Sequence, residues 1–120
     1  MEASNVIVAD YDGARKATEH LLNQGCLRIA HLAGPQHLNI SAERLHGYLD
    51  VLKENNLNHE QGYMQECGGS IENGYECAKK LLLLPNPPDA IFANSDMVAL
   101  GAIQAIKEFG LIIPDDIAII

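Results

Sequence analysis

Cationic side chains are scarce. Eight Lys and Arg stand against 16 Asp and Glu in 120 residues, a formal net charge of -8. A surface that binds nucleic acid needs clustered cations to displace phosphate counterions. The only adjacent basic pairs are Arg15-Lys16 and Lys79-Lys80, and each falls on a stretch that reads as a solvated helix face. This chain by itself is therefore a poor match for DNA. Long apolar runs are missing as well: none approaches the ~20 residues needed to span a bilayer. The opening Met1-Glu2-Ala3-Ser4-Asn5 shows no basic-then-apolar secretory pattern.

Cysteine is rare and odd in number. Cys26, Cys67 and Cys77, with no C-x-x-C, fit a reducing cytosol better than a disulfide scaffold. They read as small apolar core residues. Catalytic signatures are also lacking, with no G-x-S-x-G, no Ser/His/Asp ordering and no paired carboxylates. Cys67-Gly68-Gly69-Ser70 is a glycine turn opening a helix, but it has neither the lysine of a P-loop nor the glycines of a dinucleotide fingerprint. Asp10-Tyr11-Asp12-Gly13 starts like a calcium loop, yet Leu21 stands at the twelfth position, where an acid is required. The histidines at 20, 31, 37, 46 and 59 have no ligand spacing. The sequence thus points away from an enzyme, a metal site and a bound cofactor.

What is present is a βα rhythm. Val6-Ile7-Val8-Ala9 reads as a buried strand, and Asp10 or Asp12 as the cap of a helix carrying Ala14, Ala17, Thr18, Leu21 and Leu22, stopped by Gly25. Leu27 to Ala33 is a strand ending at Gly34-Pro35. Ser41 then reads as the cap of a helix with Leu45, Tyr48, Leu49 and Leu52 on its apolar stripe, ended by Asn55, Asn56 and Asn58. Tyr63 to Cys67 is a weaker strand. Ile71, Tyr75, Ala78, Leu81 and Leu82 mark a third helix, closed by Pro85, Pro87 and Pro88. Ala90 to Ala93 is a strand, Asn94-Ser95-Asp96 caps a fourth helix running to Phe109, and Pro114-Asp115-Asp116 leads into a strand at Ile117 to Ile120.

Strands and helices alternating at this length imply an α/β fold: a doubly wound parallel sheet flanked by helices. A ligand in such a fold binds outside the carboxyl ends of the strands, where strand order reverses. That rule nominates the loops Gly34 to Ser41, Gly68 to Ser70 and Asn94 to Asp96. Arg44 lies just past one strand end, with a guanidinium fork suited to hydroxyls or a carboxylate. Asn94-Ser95-Asp96 has more polar side chains than one helix cap consumes. The fourth helix carries two apolar stripes, Met97, Leu100, Ile103 and Ile106 on one and Val98, Ala102, Ala105 and Phe109 on the other. One should pack on the sheet and the second on a partner. Ending within an apolar run, at Ile117 to Ile120, is expected of a segment of a larger ligand-binding protein.

Five stretches in order resemble the LacI/GalR family of bacterial transcription regulators. They are Val8-Ala9-Asp10 with Gly13-Ala14, His20-Leu21-Leu22 and Gly25; Arg28 to Pro35; Arg44-Leu45-His46-Gly47-Tyr48, similar to an R-x-x-G-[YFW] motif; Asp89 to Asp96 with Ala99-Leu100-Gly101-Ala102; and Pro114 to Ile120, similar to P-x-D-[IV]-[SA]-[IV]-[IV]. The resemblance implies one lobe of a type I periplasmic-binding-protein-like fold. Residues 1–9 would be the crossover strand from an N-terminal lobe outside the chain, and 10–120 the C-terminal lobe without its last elements. It implies a cytoplasmic regulator whose small-molecule effector, a sugar, binds between lobes. It implies a homodimer that holds operator DNA through a helix-turn-helix not contained in this chain, and no membrane. Carried over residue by residue, it assigns effector binding to Arg44, Ser95, Asp96 and Gly69, the last standing where some members stack an aromatic ring. It assigns the dimer interface to Met97, Val98, Leu100, Gly101, Gln104 and Ala105. Leu38 and Ile40 are apolar where some members carry hydroxyls. The rival expectation is a sugar-binding lobe of a membrane-transport system, which shares the fold.

Overall fold

The computed structural model describes residues 2–57 and 62–120, with side chains from Asp10 onward. Eight elements alternate: α1 (Glu2–Asn23), β1 (Ile29–Ala33), α2 (Asn39–Glu54), β2 (Met64–Glu66), α3 (Ile71–Leu82), β3 (Ala90–Ala93), α4 (Asp96–Glu108) and β4 (Ala118–Ile119). All strand pairs are parallel, in the order β2-β1-β3-β4. The expected doubly wound sheet is present. β1 and β3 are buried along their whole length, as central parallel strands must be when helices cover both faces. Among the described residues, no helix is long and apolar enough to cross a membrane.

The helices divide into two pairs. α1 and α2 pack together over one face, where Ala14, Leu21, Tyr48 and Leu52 meet Ile29, Ala90 and Phe92. α3 and α4 cover the other, where Ala78, Leu81, Val98, Ala102 and Ile106 meet Ala30, Leu32 and Ile91. Both pairs approach closely at a glycine. A Cβ on Gly47 would overlap the backbone oxygen of Tyr11, and one on Gly101 would overlap the backbone of Ile71 and Tyr75. His31 is fully buried in the middle strand. Its Nδ1–H donates to the Phe92 carbonyl at 2.9 Å, and its ring stacks on Phe92 with centroids 4.5 Å apart. It is a structural histidine, as read from its place in a strand. Burial pushes the Cys67 thiol well above its usual range, so Cys67 sits in the core as an apolar group.

Several boundaries differ from expectation. Residues 6–9 continue α1 instead of forming a strand. A strand needs a neighbour for its backbone groups, whereas a helix satisfies them within one segment, and the four described strands leave this run without a partner. Asp10 and Asp12 consequently lie inside a helix and cap nothing. α2 starts two residues before Ser41, with Leu38 at the cap position and no side-chain cap bond. Ser41 is buried in the first turn, which puts Arg44 in the second. Asn58 and His59 lie outside the described residues.

The largest correction concerns α4. Val98, Gly101 and Ala105 face inward against α3, joined there by Ile106, and so cannot belong to a partner interface. Phe109, grouped from sequence with Val98, Ala102 and Ala105, is exposed, unlike those three. The outward stripe is Met97, Leu100 and Gln104. If the glycine contact sets the spacing of α3 and α4, Gly101→Val should cost about 2–3 kcal/mol in denaturant unfolding of the protein, with no such cost for the exposed Gln104→Val.

Candidate functional site

β1 and β3 lie side by side, and the chain leaves them in opposite directions. β1 leads through α2 to β2 on one side, and β3 leads through α4 to β4 on the other. This is the topological switch point, and the divergence of the two connections leaves a groove over the strand ends. The groove has a volume of about 690 Å³. Pro35, Leu38 and Ile40 wall it from the loop after β1 and the start of α2. Gly69 borders it from the loop before α3. Asn94, Ser95 and Met97 close it from the loop and first turn of α4. The three loops nominated from sequence therefore converge. None of the residues that line the groove is charged.

Arg44 is not among the residues that line this groove; it touches the lining residue Asn94, and its guanidinium is already engaged. Nε and Nη2 donate to Asp10 Oδ1 at 3.0 and 2.8 Å, and Nη1 donates to the backbone carbonyl of Asn94 at 2.5 Å. Three of five N–H donors are used, which leaves one on each terminal nitrogen. Both members of the ion pair are largely shielded, at 29 % and 12 % side-chain exposure. The arrangement locks α1, α2 and the end of β3 together directly behind the groove. Two buried acceptors next to it, Asp10 Oδ2 and Asn94 Oδ1, receive no hydrogen bond from any described residue.

The other expected contacts divide. Ser95 is the N-cap of α4; its Oγ accepts from the Val98 N–H at 3.4 Å while the residue borders the groove. Asp96 is exposed in the first turn of α4, outside the lining. An acid there favours the helix dipole without facing the cavity. Gly69 borders the groove, and a Cβ on it would meet nothing within 4 Å, so the wall is open where a ring could have stood. The glycine turn before α3 is shaped by a capping box. Ser70 Oγ accepts from the Asn73 N–H at 3.0 Å and Asn73 Oδ1 from the Ser70 N–H at 3.4 Å.

Asp10, read from sequence as a helix cap, is instead the carboxylate that pairs with Arg44. Its signal was present but needed α1 to be recognised from its first turns. Polar residues recur along the α1–α2 seam at helical spacing. Tyr11 donates to Asp50 Oδ2 at 2.5 Å, and Arg15 grips Glu54 with both terminal nitrogens at 2.9 and 2.7 Å. The Asp50 bond holds the Tyr11 phenol above its usual value, and the Arg15 fork holds Glu54 below the ordinary carboxylate range. Asp10 and Arg44 are the last rung of this ladder, and the one that reaches the site. Met97, expected at a partner surface, also lines the groove.

Removing one partner of a shielded ion pair strands the other charge. Arg44→Met should therefore destabilise the protein by about 2 kcal/mol in urea unfolding, and Arg44→Met with Asp10→Leu should recover most of that loss. Additive single effects would contradict the pairing.

Residues 18–120 match the family described as periplasmic binding protein-like domain. The chain is 37% identical over 118 residues to the transcriptional repressor PurR of Actinobacillus pleuropneumoniae, covering 98% of this chain and 35% of that protein. A regulatory protein of the LacI family from Chloroflexus aggregans superposes with a TM-score of 0.89 at 38% identity, covering 92% of this chain and 40% of that one. The transcriptional regulator CelR, solved as a cellobiose complex, superposes with a TM-score of 0.86 at 31% identity, covering 92% of this chain and 34% of that one. The chain thus spans about a third of the length of the curated relatives it matches, such as PurR. With its switch-point groove, its R-x-x-G-Y motif and its parallel sheet, this chain belongs to the periplasmic-binding-protein-like domain family and has the effector-domain fold of LacI-family transcriptional regulators.

Proposed function

We propose that this chain is the effector-sensing lobe of a LacI-type regulator, spanning residues 10–120, in a protein that also holds operator DNA and acts in the cytoplasm as a homodimer. The observation that carries this reading is the groove at the carboxyl ends of β1 and β3, backed by the Asp10–Arg44–Asn94 cluster. Arg44 has two donors left for a ligand, and Ser95 and Asn94 supply polar edges. The complex of CelR with cellobiose supports a small-molecule effector, and a sugar-bearing one.

The partner face proposed is the outward stripe of α4, where Met97 and Leu100 are about half exposed and Gln104 follows one turn on. Exposed large apolar side chains at that spacing are what a second copy would cover. Because Met97 also borders the groove, α4 touches both the ligand side and the partner side. Effector binding and subunit orientation would then be coupled through one rigid helix, which is the two-site linkage that allostery requires.

Two substitutions in the full-length protein test this together. Arg44→Lys keeps the charge but loses the fork; it should weaken effector response at least about tenfold while operator binding without effector stays unchanged. An unchanged induction curve would refute the assignment. Leu100→Asp should turn a dimer into a monomer by sedimentation, and a dimer that persists would move the interface elsewhere.

A further inference from the structure

Resting on the effector-site reading above, we infer that the ligand is an uncharged glycoside whose aglycone is a flat or apolar ring, and not a free sugar or a sugar acid. The chemistry is shared by aryl glycosides and nucleosides. The structure argues it from two sides.

The first side is charge. Arg44 is the cation beside the groove, and Asp10 neutralises it through Nε and Nη2 at 3.0 and 2.8 Å. No residue lining the groove is charged. An anionic ligand would therefore find no positive charge on this lining to offset its lost hydration. The polar residues that do line the groove are neutral, namely Asn39, Ser41, Asn94 and Ser95. Ligand hydroxyls fit such uncharged donors and acceptors.

The second side is the wall. Leu38, Ile40 and Met97 border the groove, and each is 43–48 % exposed. A bare sugar carries a hydroxyl on nearly every carbon, and each one pressed against this wall would lose a water partner without gaining another. A ring face loses nothing there and gains apolar burial at about 25 cal/mol per Å². The open space at Gly69 removes the steric bar to a second ring attached to the sugar, since nothing lies within 4 Å of the position its Cβ would take. The sugar part belongs at Asn94 and Ser95, and the ring part on Leu38, Ile40 and Met97.

Calorimetry on the full-length protein with a small panel tests this. The panel is phenyl β-glucoside and uridine, their parent sugars glucose and ribose, and glucuronate. At least one ring-bearing compound should bind about tenfold or more tightly than its own free sugar, and glucuronate should not bind. Binding by phenyl β-glucoside alone assigns the aryl glycosides; binding by uridine alone assigns the nucleosides. Ile40→Ser, at an exposed position where folding is not at stake, should erase most of the ring's advantage over its own free sugar. A free sugar equal to its glycoside, or tight binding of glucuronate lost in Arg44→Lys, overturns the inference and leaves the effector site standing. No binding by any member overturns both.

Discussion

The Arg44 guanidinium is the contact on which the rest of the structure depends. It joins a carboxylate on α1, its own helix α2, and the backbone carbonyl at the end of β3. Those three elements form one covering layer and the floor of the groove. The neighbouring residues of the same motif serve the same end. Gly47 permits the close approach of α1, and the buried Tyr48 hydroxyl donates to the Ile29 carbonyl at 2.5 Å. R-x-x-G-Y is thus a packing device in this fold. It fixes where α2 lies on the sheet, and so where Leu38 and Ile40, at its amino end, meet the groove.

That device also limits the chemistry of the site. A free arginine in a cleft attracts anions. One already paired with a shielded carboxylate and a carbonyl offers direction without net charge. The proposed ligand is therefore one recognised by shape, hydroxyls and apolar faces. Its two walls belong to the amino ends of α2 and α4, helices on opposite faces of the sheet. A ligand bridging them ties the α1–α2 layer to the α3–α4 layer at the point where only the strand ends otherwise connect them. In the proposed regulator this is the structural basis for a ligand changing the attitude of α4.

Much of this was legible from the residue order. β1 and β3 were visible as β-branched and alanine runs bounded by Gly, Pro and Asn. Ser70 and Ser95 stand at helix starts that their side chains do cap. Arg44 was found because it follows a strand end. The misreadings have physical causes. Val6 to Ala9 has strand composition, but composition does not supply a pairing partner. Ser41 looked like a cap because a lone serine before an apolar stripe usually is one; here the helix starts earlier and buries it. α4 is apolar enough all round that periodicity alone could not decide which stripe faces in. The small residues Gly101, Ala102 and Ala105 decided it, since only they allow α3 so close. Asp10 was obscured by the strand assigned before it, although its role depends on a residue 34 positions away, a separation local pattern does not encode.

The most direct test of the account is where a ligand sits. Methyl-labelled NMR of the full-length protein, titrated with the ring-bearing glycoside that binds best, reports on Leu38, Ile40 and Met97 separately from the buried Leu81 and Ile106. The largest shifts, with ligand contacts, are expected at Leu38, Ile40 and Met97. Shifts centred elsewhere, with those three methyl groups unmoved, would contradict it.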